Sequence, residues 1–203
     1  AKHQETHSLK KSSSKIPLSG VRMGLVLVII TVMMRSWTQF GLMTYIPFYY
    51  IDYLKGDAVH AGTMVSVFLL SGVIGTLTGA PLSDRWGHKK VLLLSLGISS
   101  LLFPLIFVTN GLSLLIVFAL LGMSLIASFT VTIVMAQRLL PNNLGIASGL
   151  TVGFAVGTGG VGVTLLGMIA DAYGVPVALK FIGILPVLGF FINFLVPYPS
   201  EKK

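Results

Sequence analysis

Apolar residues run in blocks far longer than a strand or the stripe of a surface helix. No Asp, Glu, Lys or Arg interrupts Ala61 to Ser83, Val91 to Gln137, Leu139 to Ala170 or Phe181 to Ser200. A helix that crosses the hydrocarbon of a bilayer needs about 20 such residues, so these blocks hold several crossings. Backbone N–H and C=O groups find no water there, which leaves only helices and closed barrels. The two-residue alternation of a barrel strand is missing, so the pattern predicts helices. Six are expected, over about 21–50, 60–82, 90–108, 112–135, 144–170 and 177–196. Pro47 should kink or unwind the outer end of the first. Thr109-Asn110-Gly111 reads as a tight turn, and Pro141 falls in the loop before the fifth span. The fold class is an all-α membrane protein with six transmembrane helices. Residues 1–20 read as a basic polar linker, 21–198 as the membrane domain and 199–203 as a short tail.

Composition agrees. Of 203 residues, 54% are hydrophobic and 10% charged, where a soluble domain carries about a quarter charged. The net charge of +8 raises nucleic acid as a partner, but the charges sit at block ends and form no basic surface with interleaved aromatics, so no nucleic acid is expected. Six crossings put both termini on one side. Eleven of the fourteen Lys and Arg lie there, against Lys55 and Lys180 opposite and Arg35 inside the first span. That bias places both termini in the cytoplasm and the chain, multi-pass, in the cell's inner membrane. With no cysteine, disulfide and thiol chemistry are excluded. Apart from Arg35, no ionisable side chain sits at mid-depth, which weighs against an intramembrane enzyme. His3 and His7 have a metal-like spacing on a solvated tail. No metal or cofactor is expected. Residues 1–20 carry no signal peptide, and the chain opens on Ala1 rather than Met, so we expect a piece of a longer protein.

Between the second and third spans lies Gly79-Ala80-Pro81-Leu82-Ser83-Asp84-Arg85-Trp86-Gly87-His88-Lys89-Lys90. It resembles the signature loop of the major facilitator superfamily, Gly-x-x-x-Asp-(Arg/Lys)-x-Gly-(Arg/Lys)-(Arg/Lys). Asp84, Arg85, Gly87 and Lys89 match; Ala80 replaces the first Gly, with Gly79 beside it, and His88 replaces a basic residue. Gly87 permits a tight turn, and Asp84 can cap a helix N-terminus or pair with a neighbouring Arg. Further stretches, Ala136–Pro141, Gly145–Leu150, Gly153–Gly160 and Ile169–Asp171, look like the last third of the fosmidomycin-resistance-type drug exporters. The resemblance covers about 21–198. It implies the C-terminal half of a twelve-helix fold, made of two inverted three-helix repeats, with a missing N-terminal six-helix half as partner. It also implies alternating-access, proton-coupled efflux of a small molecule, with Asp84, Arg85, Gly87 and Lys89 as a conformational-switch loop. A six-helix channel or a scaffold without transport of its own is the alternative; a channel would show a filter motif or a charged ring.

Arg35 lies thirteen residues beyond Arg22, roughly 20 Å deep at 1.5 Å per residue. Placing Arg there costs about 2.5–3.5 kcal/mol on insertion scales, so it should face a wet cavity or a partner. On a helical wheel Thr31, Thr38, Gln39, Leu42 and Tyr49 fall within about 60° of it. Arg35, Thr38, Gln39 and Tyr49 are therefore the candidate substrate-binding residues, since a guanidinium suits a phosphonate or carboxylate. A structural pair with an acid of the absent half is the other reading. The aromatics around Pro47 form a gate or an interfacial belt. Gly145, Gly149, Gly153 and Gly157 recur every four residues and should let helices approach closely, or slide; Ser71, Gly75 and Gly79 repeat the pattern on the second span. Ser124, Ser128 and Thr132 line up on the fourth, to hydrogen-bond a neighbouring helix or their own chain.

Overall fold

The computed structural model describes residues 18–195, with side chains from Arg22 onward. Six helices follow one another: α1 (Leu18–Phe48), α2 (Ala58–Trp86), α3 (His88–Leu102), α4 (Gly111–Leu139), α5 (Leu144–Tyr173) and α6 (Val175–Leu195). All six, with α3 prolonged by a tighter turn over Phe103–Phe107, are long and apolar enough to cross a membrane. The helix α1 starts inside the stretch read as linker; the rest of that stretch, His3 and His7 and the tail at 199–203 lie outside the described residues.

The helix ends follow local chemistry. Asp57 starts α2: its carboxylate accepts the Val59 N–H at 3.1 Å, filling one of the orphan donors of a first turn. Beyond Pro47, α1 widens into a π-helical turn over Tyr49–Tyr53, closed by Leu54 N–H to the Tyr49 carbonyl at 3.2 Å. Proline lacks the N–H for the regular ladder, and the wider turn absorbs the misfit.

Two junctions, at opposite ends of the bundle, are built alike. Gly87 joins α2 to α3 at φ 92°, ψ 136°, and Gly174 joins α5 to α6 at φ 90°, ψ 155°. Only glycine adopts such angles without strain. Each donates its N–H to the carbonyl four residues back, Ser83 at 3.0 Å and Ala170 at 2.8 Å. Both close an Asp-x-aromatic-Gly pattern, Asp84-Arg85-Trp86-Gly87 and Asp171-Ala172-Tyr173-Gly174.

The helices α1 and α4 form the centre of the bundle, α1 packing on α4, α5 and α6, and α4 on α2, α3 and α5. The α2–α4 seam is the tightest. A Cβ added at Gly75 would run into the Met123 carbonyl, and one at Gly122 into the Phe68 carbonyl. Such backbone approach is how small residues join membrane helices. Serines fasten α3 to α4: Ser124 Oγ donates to the Ser95 carbonyl at 2.6 Å and lies 2.7 Å from Ser99 Oγ. Ser128 and Thr132 bond back to the Leu125 and Phe129 carbonyls.

The buried core is split in two. One apolar cluster holds Leu42, Ile46, Phe68, Phe118 and Ile182, towards the Gly174 end. The other holds Val32, Leu92, Leu96, Val131 and Met135, towards the Gly87 end. Between them runs a buried polar layer of Arg35, Ser36, Thr38, Ser99 and Ser128. The outer surface is apolar, with Leu77, Leu101, Met168 and Phe191 all exposed. In water such a surface would aggregate; in hydrocarbon it is solvated.

Candidate functional site

The polar layer centres on Arg35. Its side chain leaves α1 towards α4 and is 3% exposed. Nη1 donates to Gln39 Oε1 at 2.7 Å, one turn along α1, and to the Leu125 carbonyl of α4 at 3.3 Å. Nη2 donates to Ser36 Oγ at 3.0 Å. The Phe129 ring lies 4.7 Å from the guanidinium carbon, in the arrangement where a cation meets the negative face of an aromatic ring. The Nε–H, also buried, has no acceptor among the described residues. No carboxylate among them pairs with the guanidinium either; the ion pairs found join His60 to Asp57 and His88 to Asp84. A full positive charge is thus held at mid-depth by neutral acceptors alone. Neutral acceptors satisfy hydrogens without cancelling the charge, so the site retains an attraction for an anion.

Of the four candidate residues, the structure joins Arg35 to Gln39, keeps Thr38 in the polar layer on a bond of its own, and places Tyr49 elsewhere. Thr38 is buried and turns its hydroxyl to the Met34 carbonyl at 2.9 Å. Tyr49 lies in the apolar cluster, stacked 5.9 Å from Tyr53 and edge-on to Phe107. Leu42 is in the same cluster, and Thr31 accepts from Asn193 Nδ2 of α6 at 3.2 Å. Most of the arc of α1 around Arg35 therefore turns into the bundle, while Gln39 stays partly exposed. The contributions of Ser36, Phe129 and the Leu125 carbonyl had no signal in the sequence, because two of them come from another helix. Asn193 did have one: it is the only strongly polar residue between Phe181 and Val196.

At the Gly87 junction, Asp84 caps no helix and pairs with no Arg. Gly87 ends α2 and starts α3 at once, so Asp84 falls in the last turn of α2. Its carboxylate instead lies 3.5 Å from His88 Nε2 across the turn. His88 is fully buried and Asp84 exposed. Arg85 is exposed in the same last turn, where a cation complements the helix dipole. Lys89 reaches across to α6 and donates to the Phe194 carbonyl at 3.1 Å, a cation at the C-terminal end of that helix as described. The loop residues thus tie the α2–α3 junction to the end of α6.

The four-residue glycine stripe on α5 faces open space among the described residues. A Cβ at Gly145, Gly149, Gly153 or Gly157 would meet nothing within 4 Å, so among the described residues these four bring no helix close. The approach to α1 runs through Gly159 and Gly162, which lie against the rings of Phe40 and Trp37. Gly159 sits about 200° round the helix from Gly157, nearly the opposite face.

Residues 26–203 match the Major Facilitator Superfamily. The chain belongs to that family. Its members are membrane transporters rather than enzymes, which suits six apolar helices around one buried charge. The chain is 42% identical over 156 residues to an MFS-type transporter of Bacillus subtilis, YfnC, covering 77% of this chain and 37% of that protein. It is 30% identical over 200 residues to the fosmidomycin resistance protein of Escherichia coli, covering 93% of this chain and 48% of that one. The chain therefore spans less than half the length of either relative.

Proposed function

We propose that the chain is the C-terminal half of a proton-coupled exporter that moves an anionic small molecule by alternating access. The observation that carries this reading is the Arg35 guanidinium, held at mid-depth without a counter-ion among the described residues. Intramembrane charges are expensive and mark substrate or ion pathways, and a guanidinium matches the oxygens of a phosphonate or carboxylate. A relative that bears the name fosmidomycin resistance protein fits an anionic drug as cargo. All six acidic residues of the sequence lie outside the mid-depth layer, at positions 5, 52, 57, 84, 171 and 201, so the proton-carrying acid belongs to the N-terminal half. The matching glycine junctions at Gly87 and Gly174 support two inverted three-helix repeats, α1–α3 and α4–α6. The basic residues put the Gly87 end and both termini in the cytoplasm of the inner membrane.

The test is reconstitution. Residues 1–203 alone in proteoliposomes should move no fosmidomycin under a proton gradient, because the translocation path would have one wall. The same residues joined to the upstream six spans should. Robust proton-driven flux from the isolated residues would overturn the half-protein reading, and passive ion conductance from them would favour the channel.

The junction loop gives a second expectation. Asp84→Asn should leave membrane abundance near parental, since the Asp84 side chain is exposed and substitutions at exposed positions usually cost little. Transport should fall several-fold, provided the loop's ties to α6 differ between the two access states; a contact equal in both shifts nothing. Efflux assays at matched protein level check this, and unchanged efflux would leave Asp84 a topological feature only.

A further inference from the structure

The guanidinium of Arg35 is used unevenly. Both Nη1 hydrogens are committed, one to Gln39 Oε1 and one to the Leu125 carbonyl. Nη2 has given one hydrogen, to Ser36 Oγ. Nε has given none, although it is buried. The Nε–H and one Nη2–H point in parallel from the same edge of the planar group, and that edge grips two oxygens of one oxyanion. Leaving a buried, charged donor without an acceptor is costly, and natural structures keep such a group where something else completes it.

We infer that Arg35 receives the oxyanion of the substrate on its Nε–Nη2 edge, and that Gln39 is a positioning residue holding the opposite edge. The inference deepens the exporter reading above and rests on it. The division of labour follows from the bonds. The carboxamide of Gln39 and the Leu125 carbonyl clamp Nη1, while the Phe129 ring supports the face of the cation. With three sides fixed, the guanidinium cannot rotate, and the free edge keeps one direction. Ser36 Oγ accepts from Nη2 and helps to hold that nitrogen in place. Leu125 and Ser36 are buried, whereas Gln39 and Phe129 are partly exposed, so the approach to the site runs past those two. The ligand class is a group with two equivalent oxygens: a carboxylate, phosphonate or phosphate. An ammonium at this position offers no edge, and a neutral ester offers no charge.

The experiment measures binding of fosmidomycin, as a phosphonate probe, and of its uncharged diester to the chain joined to its upstream half. Gln39→Leu, Gln39→Glu and Arg35→Gln are compared at matched abundance. Releasing the clamp in Gln39→Leu should lower the ratio of phosphonate to diester affinity about tenfold, the scale of one charge-assisted contact. In Gln39→Glu a carboxylate replaces the clamp beside Nη1 and neutralises the guanidinium, so the ratio should fall about a hundredfold. A purely structural role for Gln39 would weaken both ligands together and leave the ratio unchanged, which would overturn the inference. If both Gln39 variants keep the parental ratio while Arg35→Gln loses it, the positioning role fails and the anion site at Arg35 stands. If Arg35→Gln keeps it as well, the anion-exporter reading fails with it.

Discussion

Gly75→Leu or Gly122→Leu should abolish assembly of the bundle, with membrane abundance below about a tenth of parental. Each glycine sets the spacing of α2 and α4 by backbone contact. At Gly75 even the first side-chain carbon would overlap the Met123 carbonyl, and at Gly122 the Phe68 carbonyl. Backbone cannot swing aside as a side chain can, so the helices must separate. Overpacking a well-packed core already costs ~1–3 kcal/mol where neighbours can adjust. Leu125 and Phe129, which meet Arg35, belong to the same α4 that the substitution would displace. The control is Gly145→Ala, where an added Cβ meets only open space and alanine is the better helix former. Fluorescence-detected size-exclusion and thermal melts in detergent separate the two outcomes. A monodisperse, parental melt for Gly75→Leu would show that the seam is looser than the geometry states.

The helices were legible because length and hydropathy suffice to read a membrane crossing. Their ends were less so. The second span is read from the sequence as 60–82, but α2 runs from Ala58 to Trp86, because Asp57 supplies a cap and Arg85 suits the last turn. Charged residues end a hydrophobic block without ending a helix. The site was legible in part. Arg35 and Gln39 are four residues apart, so their meeting follows from helical geometry alone. Phe129 and the Leu125 carbonyl come from α4, and nothing in the order of residues says which face of α4 meets α1. The same gap explains the glycines on α5. Spacing identified a small-residue face, but the neighbour lies against Gly159 and Gly162 on the far side. Asp84 shows a third kind of gap: the turn at Gly87 is so short that no residue remains outside the helices for it to cap.

Arg35→Gln carries the second large effect. The variant removes the charge, and its amide, two bonds short of the Nη atoms, withdraws from Ser36 and the Leu125 carbonyl. In the parent, burial of that charge is offset only by neutral hydrogen bonds and one aromatic ring. Removing it should therefore leave folding intact or improve it, because an unpaired buried charge opposes stability. Binding of an anion should lose a charge-assisted contact of about 1.5–3 kcal/mol, or roughly ten- to a hundredfold in affinity. Arg35→Lys should retain part of it, since lysine keeps the charge and lacks the two-pronged edge. If the charge instead answers a carboxylate of the N-terminal half, Arg35→Gln should strand that carboxylate, lower the protein level and be rescued by neutralising the acid.

The most direct measurement is the dissociation constant of fosmidomycin for the chain joined to the proposed N-terminal half, in the parent and in Arg35→Gln, with membrane abundance recorded alongside. A ten- to a hundredfold rise at unchanged abundance is expected, on the scale of one charge-assisted contact. Parental affinity in Arg35→Gln would contradict the anion site.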